Sequence, residues 1–215
     1  QSVAWFHQTI SETQMLAVKD SSTIVIAQKE YYGKLIFAVT GKLSFSGGFH
    51  YIYTPFNNYT YHNKMGFAGV TYTMPYVHFK AMFHSGTISD SVYRQYDAEI
   101  TLYPLGNTNL YSISRGAFGK AVVFTQIAGV KVYKNIWLEA NATFRQYDML
   151  LENDGMYLFN DIDTKKFKAG GSVYILMAKK LTLTLNYCNE QKIRWGTTTE
   201  TFNQHSITTS LSWKF

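Results

Sequence analysis

Apolar and polar residues alternate with a period of two along several segments of the chain. Every second residue from Ile136 to Phe144 is apolar, and the polar or amphipathic positions among them are Trp137, Glu139, Asn141, Thr143 and Arg145. The segments 77–83, 92–102 and 181–187 show largely the same pattern. Successive side chains of a β-strand point to opposite faces of the sheet. The pattern therefore predicts strands with one apolar and one polar face.

The predicted connections between strands alternate in length. Short turns are expected at 40–42, 74–76, 133–135 and 178–180, with a slightly longer one around 105–107. Longer polar loops are expected at 55–64, 146–165 and 189–204. Short turns at one end of a sheet and long loops at the other are typical of transmembrane β-barrels.

Twelve strands are predicted, and several reach about ten residues, the length that crosses a bilayer at a tilt. They are placed at 20–29, 31–40, 43–54, 65–74, 76–87, 91–103, 109–118, 121–133, 136–148, 166–177, 181–192 and 203–215. The predicted fold class is all-β, a transmembrane antiparallel up-and-down barrel formed by residues 20–215. Residues 1–19 show little alternation and are expected to form a periplasmic segment. Without the first two strands the count is ten, and residues 1–34 become a plug or periplasmic segment.

The composition supports a membrane barrel over a soluble β-sandwich, which is the alternative that alternation alone leaves open. Aromatic residues make up 17% of the chain and charged residues only 16%, against roughly 25% charged residues in soluble domains. Aromatic girdles at two membrane interfaces would explain both values. One such girdle is expected at Tyr51, Tyr53, Phe56, Tyr59 and Tyr61, although exposed aromatic loops also bind sugars or proteins.

The charge and the single cysteine exclude several classes of function. The formal net charge is +6 with a pI near 9.2, but the basic residues are scattered, so no nucleic-acid partner is predicted. This charge instead favours anionic lipid headgroups or anionic solutes. Cys188 stands alone, the acidic stretch 152–163 lacks the EF-hand pattern, and neither a phosphate loop nor a dinucleotide fingerprint is present. No metal or cofactor is predicted, and the acidic stretch is interpreted as a solvated loop.

The last ten residues form the strongest single motif. Ile207, Thr209, Leu211, Trp213 and Phe215 share one strand face and polar residues share the other. A final strand of this kind that ends in Phe resembles the β-signal of outer-membrane proteins from Gram-negative bacteria. The resemblance implies a bacterial outer-membrane location, contact with its lipid, and recognition by the barrel-assembly machinery through Leu211, Trp213 and Phe215. The first residue, Gln1, fits either a mature chain without its signal peptide or a trimmed chain.

Charged residues on the polar faces are candidates for lining a lumen. They are His78, Lys80, His84, Asp97, Glu99, Glu139, Arg145 and Lys168. If Gly86 pairs with Ser91 across a four-residue loop, Lys80 faces Asp97 and His78 faces Glu99. Such pairs either set a field for passing ions or fill the interior with salt bridges.

No catalytic constellation is evident, so an enzyme is not predicted. In His84-Ser85 and His205-Ser206 the two residues are adjacent and point to opposite faces of a strand, which is poor geometry for a catalytic dyad. Three hypotheses remain. The first is a narrow channel for small solutes, and the second is a non-conducting barrel that binds another envelope protein. The third, an outer-membrane enzyme, would require a His and a nucleophile or acid partner that converge at the rim or at the lipid boundary.

Overall fold

The computed structural model describes residues 2–15, 23–56, 59–88, 90–152, 154–178, 181–197 and 199–213, and only the backbone of 2–15, 23–28, 56, 59, 61, 157, 159–162 and 178. They form one sheet in which each strand pairs with its neighbours in sequence, so that the first and last strands are its edges. The strands are β1 (Ser2–Met15), β2 (Thr23–Ala38), β3 (Leu43–Phe56), β4 (Tyr59–Thr73), β5 (Val77–Ile88), β6 (Ser91–Leu102), β7 (Leu110–Phe118), β8 (Val122–Tyr133), β9 (Ile136–Glu152), β10 (Tyr157–Ala178), β11 (Leu181–Ile193) and β12 (Thr201–Trp213). The described residues include no helix that is long and apolar enough to cross a membrane.

The predicted all-β, antiparallel, up-and-down arrangement is confirmed, and each predicted strand from residue 43 onward has a counterpart. The prediction of separate strands at 20–29 and 31–40 is wrong, because β2 runs through both. The polar residues around Glu30 do not break the strand: Glu30 pairs with Ile52 of β3, and its neighbours Tyr31 and Tyr32 favour strands.

The N-terminal segment also forms a strand. β1 pairs with β2 from Ser2 opposite Ile36 to Met15 opposite Thr23. The twelve-strand count therefore holds with a different first strand, and the ten-strand alternative is wrong. Residues 16–19 lie outside the described residues, and the periplasmic location of 1–19 stays a prediction.

The predicted long loops are mostly strand. β3 and β4 extend into 55–64, β9 and β10 leave only 153–156 between them, and β11 and β12 leave 194–200. The expected contrast between short turns and long loops is therefore wrong. Polar residues were interpreted as loop, but polarity does not prevent backbone pairing where Tyr, Phe and Thr keep the strand propensity high.

The strands expose apolar side chains and bury polar ones. In β6, Gln95, Asp97 and Thr101 are buried, whereas Ile100 and Leu102 are 43% and 47% exposed. The prediction of one polar and one apolar face is confirmed, and the two sides are called the buried face and the exposed face below. Soluble proteins show the opposite distribution. The exposed face includes Leu35, Phe37, Phe45, Phe79, Phe83, Phe118, Phe124, Leu138 and Phe144.

The chain divides into two compact units. The first comprises Gln1–Val70, Met82–Gln95 and Leu151–Leu158, and the second comprises Thr71–Ala81, Tyr96–Leu150 and Phe159–Phe215. An apolar cluster lies in each. In the first, buried Tyr32, Phe67 and Met82 pack with Met156. In the second, Ala117, Val123, Tyr147 and Leu150 pack with Ala121.

Candidate functional site

The connection between β9 and β10 lies against the buried face of the first unit. We call residues Leu151–Leu158 the hairpin tip. Asp154 and Gly155 have φ angles of 59° and 76°, and Asp-Gly is a preferred pair where a tight hairpin turn needs positive φ at both positions. Leu151 is 0% exposed and Gly155 is buried. The prediction that this acidic stretch forms a solvated loop is therefore wrong for its tip.

Polar contacts attach the hairpin tip to β2. The Lys34 ammonium forms an ion pair with the Asp154 carboxylate, and both side chains are largely shielded from solvent, at 18% and 12% exposure. The Tyr32 hydroxyl donates to the Asp154 carbonyl oxygen at 3.2 Å. The Lys34–Asp154 ion pair is a charge-assisted bond, and such bonds are stronger than neutral ones when they are shielded from water.

His50 of β3 makes a second set of contacts with the hairpin tip. Its Nδ1 lies 2.9 Å from the Gly155 carbonyl oxygen, and its Nε2 lies 3.3 Å from Oε2 of Glu30. Both neighbouring atoms are acceptors, so the ring donates to both only when both nitrogens carry a proton. His50 therefore joins β2, β3 and the tip in one buried network.

Gln95 of β6 holds the tip from another side. Its Nε2 donates to the Leu151 carbonyl oxygen at 2.8 Å, and the Leu151 amide donates back to Oε1 at 3.0 Å. The Tyr93 hydroxyl also donates to Oε1, at 2.8 Å. The amide of Gln95, which is 1% exposed, thus satisfies backbone groups that would otherwise be costly to bury.

The turn fits closely against aromatic rings of β4 and β5. A Cβ added at Gly155 would lie 3.2 Å from Phe67 Cδ1 and 3.3 Å from His84 Nδ1. The Phe67 ring stacks on Tyr32, with centroids 5.6 Å apart, and Met156 packs on this cluster. The hairpin tip is therefore a fitted part of the buried face.

The second unit buries charged side chains next to side chains of opposite charge. Arg115 Nη2 donates to Asp97 Oδ2 at 2.6 Å. Glu190 lies between two ammonium groups, with Lys165 Nζ at 3.1 Å and Lys192 Nζ at 3.6 Å. The three side chains of this second group are 5–14% exposed. Buried charges are tolerated when they are paired in this way.

A cavity of about 350 Å³ lies in the second unit, and the side chains that line it are Tyr103, Thr108, Tyr111, Ile113, Trp137 and Tyr174. The Glu139 carboxylate accepts a hydrogen bond from the Tyr111 hydroxyl and another, at 3.2 Å, from the Tyr174 hydroxyl. The Lys131 ammonium lies 4.6 Å from the centre of the Trp137 ring.

The predicted lumen residues fall into three groups. Asp97 and His84 are buried, and Glu139 is bonded to tyrosines of the cavity. His78, Lys80, Glu99 and Lys168 are half-buried, and the His78 ring lies 4.8 Å from that of Tyr103. Arg145 differs from the others because its side chain is exposed. Its φ angle of 85° interrupts the extended backbone, so the alternation does not determine on which face it lies. That these side chains line a solute path stays a prediction.

The predicted pairing of Lys80 with Asp97 rested on a wrong connection. β5 continues to Ile88 and β6 begins at Ser91, so the four-residue loop between Gly86 and Ser91 does not exist. The partner of Asp97 that sequence reasoning missed is Arg115. The hairpin tip was also missed, although the Asp154-Gly155 pair is a recognisable hairpin signal.

The C-terminal strand is exposed on both faces, so its predicted division into an apolar and a polar face stays a prediction. Leu211 and Trp213 are 65% and 63% exposed and pair with Leu183 and Leu181 of β11. Phe215 lies outside the described residues. The role of this strand as an assembly signal stays a prediction.

Within the described residues, no three His, Cys, Asp or Glu side chains are grouped so that they could hold a metal ion. Cys188 is half-buried, shares its side of β11 with Glu190 and Lys192, and pairs in register with Gly170 and Ser206. No family model, curated protein or solved structure matches the chain.

Proposed function

We propose that the chain spans a bacterial outer membrane as a β-barrel closed between β1 and β12, and forms a narrow conduit for small solutes that the hairpin tip constricts. The observation that carries the membrane location is the exposed apolar face. Residues such as Phe37, Phe79 and Phe124 are 42–48% exposed, while the opposite face holds ion pairs.

The energetics of burial favour this interpretation. Removing a Leu or Phe side chain from water contributes roughly 1.5–3 kcal/mol, and the exposed face carries many such side chains. A bilayer would supply the apolar environment that water does not, and closure would satisfy the backbone groups of the two edge strands. The C-terminal motif supports the outer membrane as the location.

The hairpin tip supports a constricted conduit. It lies on the face that would line the lumen of a closed barrel, and it is held there by Lys34, His50 and Gln95. These polar contacts act together with the packing of Leu151 and Met156, and weakening them would loosen the tip. With the contacts intact, the conduit would be closed or nearly closed at rest.

A non-conducting barrel that binds another envelope protein is the second candidate. The observation that favours it is the pairing of opposite charges on the buried face of the second unit, as between Arg115 and Asp97. Such pairs fill space, and their charges interact with each other rather than with passing ions.

Single-channel recording in planar bilayers separates the two candidates. Asp154→Asn removes the ion pair with Lys34 but retains a side chain that tolerates positive φ. We expect small or rare conductance steps in the wild-type protein and larger or more frequent steps in this variant. The control is Glu200→Gln, which removes an exposed ion pair with Arg194 and should leave conductance unchanged. Silence of all three folded proteins would contradict the conduit and favour the scaffold.

Cysteine labelling tests the assignment of the faces. In a Cys188→Ser background, a cysteine at Leu138 should react with a lipid-soluble probe in liposomes, because this side chain is 41% exposed on the apolar face. A cysteine at Glu139 should react preferentially with a water-soluble reagent. The reverse pattern would contradict the membrane assignment.

A further inference from the structure

The cavity of the second unit has the size and lining of a small-molecule site. Its volume is about 350 Å³, and four of its six lining side chains are aromatic. Small-molecule sites usually measure roughly 300–1,000 Å³ and combine apolar walls with a few polar groups. Here the polar groups include the hydroxyls of Tyr111 and Tyr174, and both hydroxyls donate to the Glu139 carboxylate next to the lining.

The position of Tyr111 depends on a glycine. Tyr111 pairs with Gly129, and Gly129 pairs with Glu139, across three neighbouring strands. A Cβ at Gly129 would collide with the Tyr111 ring, so the missing side chain allows this ring to lie across β8 and reach Glu139. The arrangement of tyrosine and carboxylate is therefore built into the sheet.

Among the described side chains, the Glu139 carboxylate has neutral rather than cationic partners. Both partners are tyrosine hydroxyls, and none of the Lys, Arg or His side chains that the structure describes forms an ion pair with it. The buried carboxylates Asp97 and Glu190, in contrast, have Arg or Lys partners. A partly desolvated carboxylate without a cation is costly, and a cationic ligand would lower that cost.

The aromatic walls favour a cation as well. The faces of Trp and Tyr rings attract ammonium groups within about 6 Å, and Lys131 already occupies such a position over Trp137 at 4.6 Å. The rings of Tyr103, Tyr111 and Tyr174 also line the cavity. A bare metal ion fits less well, because Ca²⁺ and Mg²⁺ require several oxygen ligands.

We propose that this cavity binds a small organic ammonium compound, with its positive group near Glu139 and its alkyl groups against the aromatic rings. Lys131 competes for the ring of Trp137. Binding does not require the protein to conduct, so the cavity can be tested in the folded, detergent-solubilised chain whatever the outcome of bilayer recordings.

Calorimetric titration with choline and with its uncharged carbon isostere tests the proposal. Wild-type protein should bind choline about tenfold more tightly than the isostere, a difference of about 1.4 kcal/mol. Glu139→Gln should strongly reduce this preference and leave only the part that the aromatic rings provide. The matched control is Glu99→Gln, which removes the same charge from β6 but not the carboxylate that bonds the lining residues Tyr111 and Tyr174, and which should retain the preference.

Three results would overturn the proposal. The first is equal binding of choline and its isostere by wild-type protein, and the second is no choline binding at millimolar concentration. The third is an equal loss of the preference in the two Gln variants, which would indicate that only the overall electrostatic field of the protein attracts choline. If Glu139→Gln fails to fold, Tyr174→Phe takes its place in the titration. This variant keeps the charge of Glu139 and should retain the preference for choline. Lys131→Met should tighten choline binding, and weaker binding would contradict the competing role of Lys131.

Discussion

At Gly129, the lack of a side chain determines where a neighbouring aromatic ring lies. The Tyr111 ring covers this position and bonds to Glu139 on the next strand. The sequence showed Glu139 as a polar residue in an alternating strand, but not that its partners would be two tyrosines from β7 and β10. Those partners depend on strand register, which alternation does not determine.

Gly129→Ala should destabilise the protein, because the new methyl group must displace the Tyr111 ring. Overpacking of this kind typically costs about 1–3 kcal/mol. The measurement is the midpoint of urea unfolding in detergent or lipid, followed by tryptophan fluorescence. Gly41→Ala is the control, since a Cβ there meets no atom within 4 Å. Equal midpoints for the two variants would show that Tyr111 moves away without cost.

Gln95→Leu should loosen the attachment of the hairpin tip. The variant removes the amide that bonds the Leu151 carbonyl and amide, and removing one partner of a buried hydrogen bond costs about 1–3 kcal/mol. We expect faster hydrogen exchange at the Leu151 amide. Gln126→Leu, which breaks contacts with Ser112 and Ser114 in the other unit, should leave this exchange rate unchanged. Unchanged exchange in Gln95→Leu would mean that apolar packing alone holds the tip.

At the scale of the strands, the period-two pattern was sufficient to predict which side chains share a face. It worked for β6 and most of β9 because alternation depends only on local geometry. It failed at Arg145, where a positive φ interrupts the strand. It also failed to predict that residues 153–156 are the whole connection, because a polar sequence is compatible with either a loop or an extended hairpin.

The inward position of the hairpin tip could not have been predicted from its own residues. Its contacts come from Lys34, His50 and Gln95, which are distant in sequence. Only the turn itself had a local signal, in Asp154-Gly155. The candidate constriction is thus a property of tertiary packing, whereas the candidate lining residues were visible as an alternating pattern.

At the scale of the whole molecule, the net charge does not determine the charge at any one site. A formal charge of +6 favours anionic partners, whereas the ligand proposed for the cavity is a cation. Glu139 would outweigh distant basic residues because charges in contact interact far more strongly than screened ones, and Lys131 over Trp137 is the basic group that opposes it locally.

The proposed closure of the barrel predicts that β1 and β12 are neighbours. With Cys188 replaced by Ser, one cysteine at Thr9 combined with a scan of cysteines from His205 to Leu211 should give a disulfide at one or two adjacent positions. Cysteines at Thr9 and in β7 serve as the control and should not cross-link. A scan with no cross-link in folded protein would contradict closure.

The single thiol of the chain offers a natural gauge of the interior. Cys188 lies on the side of β11 that also carries Glu190 and Lys192, so in a closed barrel any reagent that reaches it has entered from water rather than lipid. Thiol reagents of increasing diameter, applied to the unaltered protein, would stop reacting when they exceed the wider of the two routes that lead from the ends of the barrel to Cys188. The diameter at which labelling of Cys188 stops is therefore an upper limit on the size of any solute that could pass through the barrel.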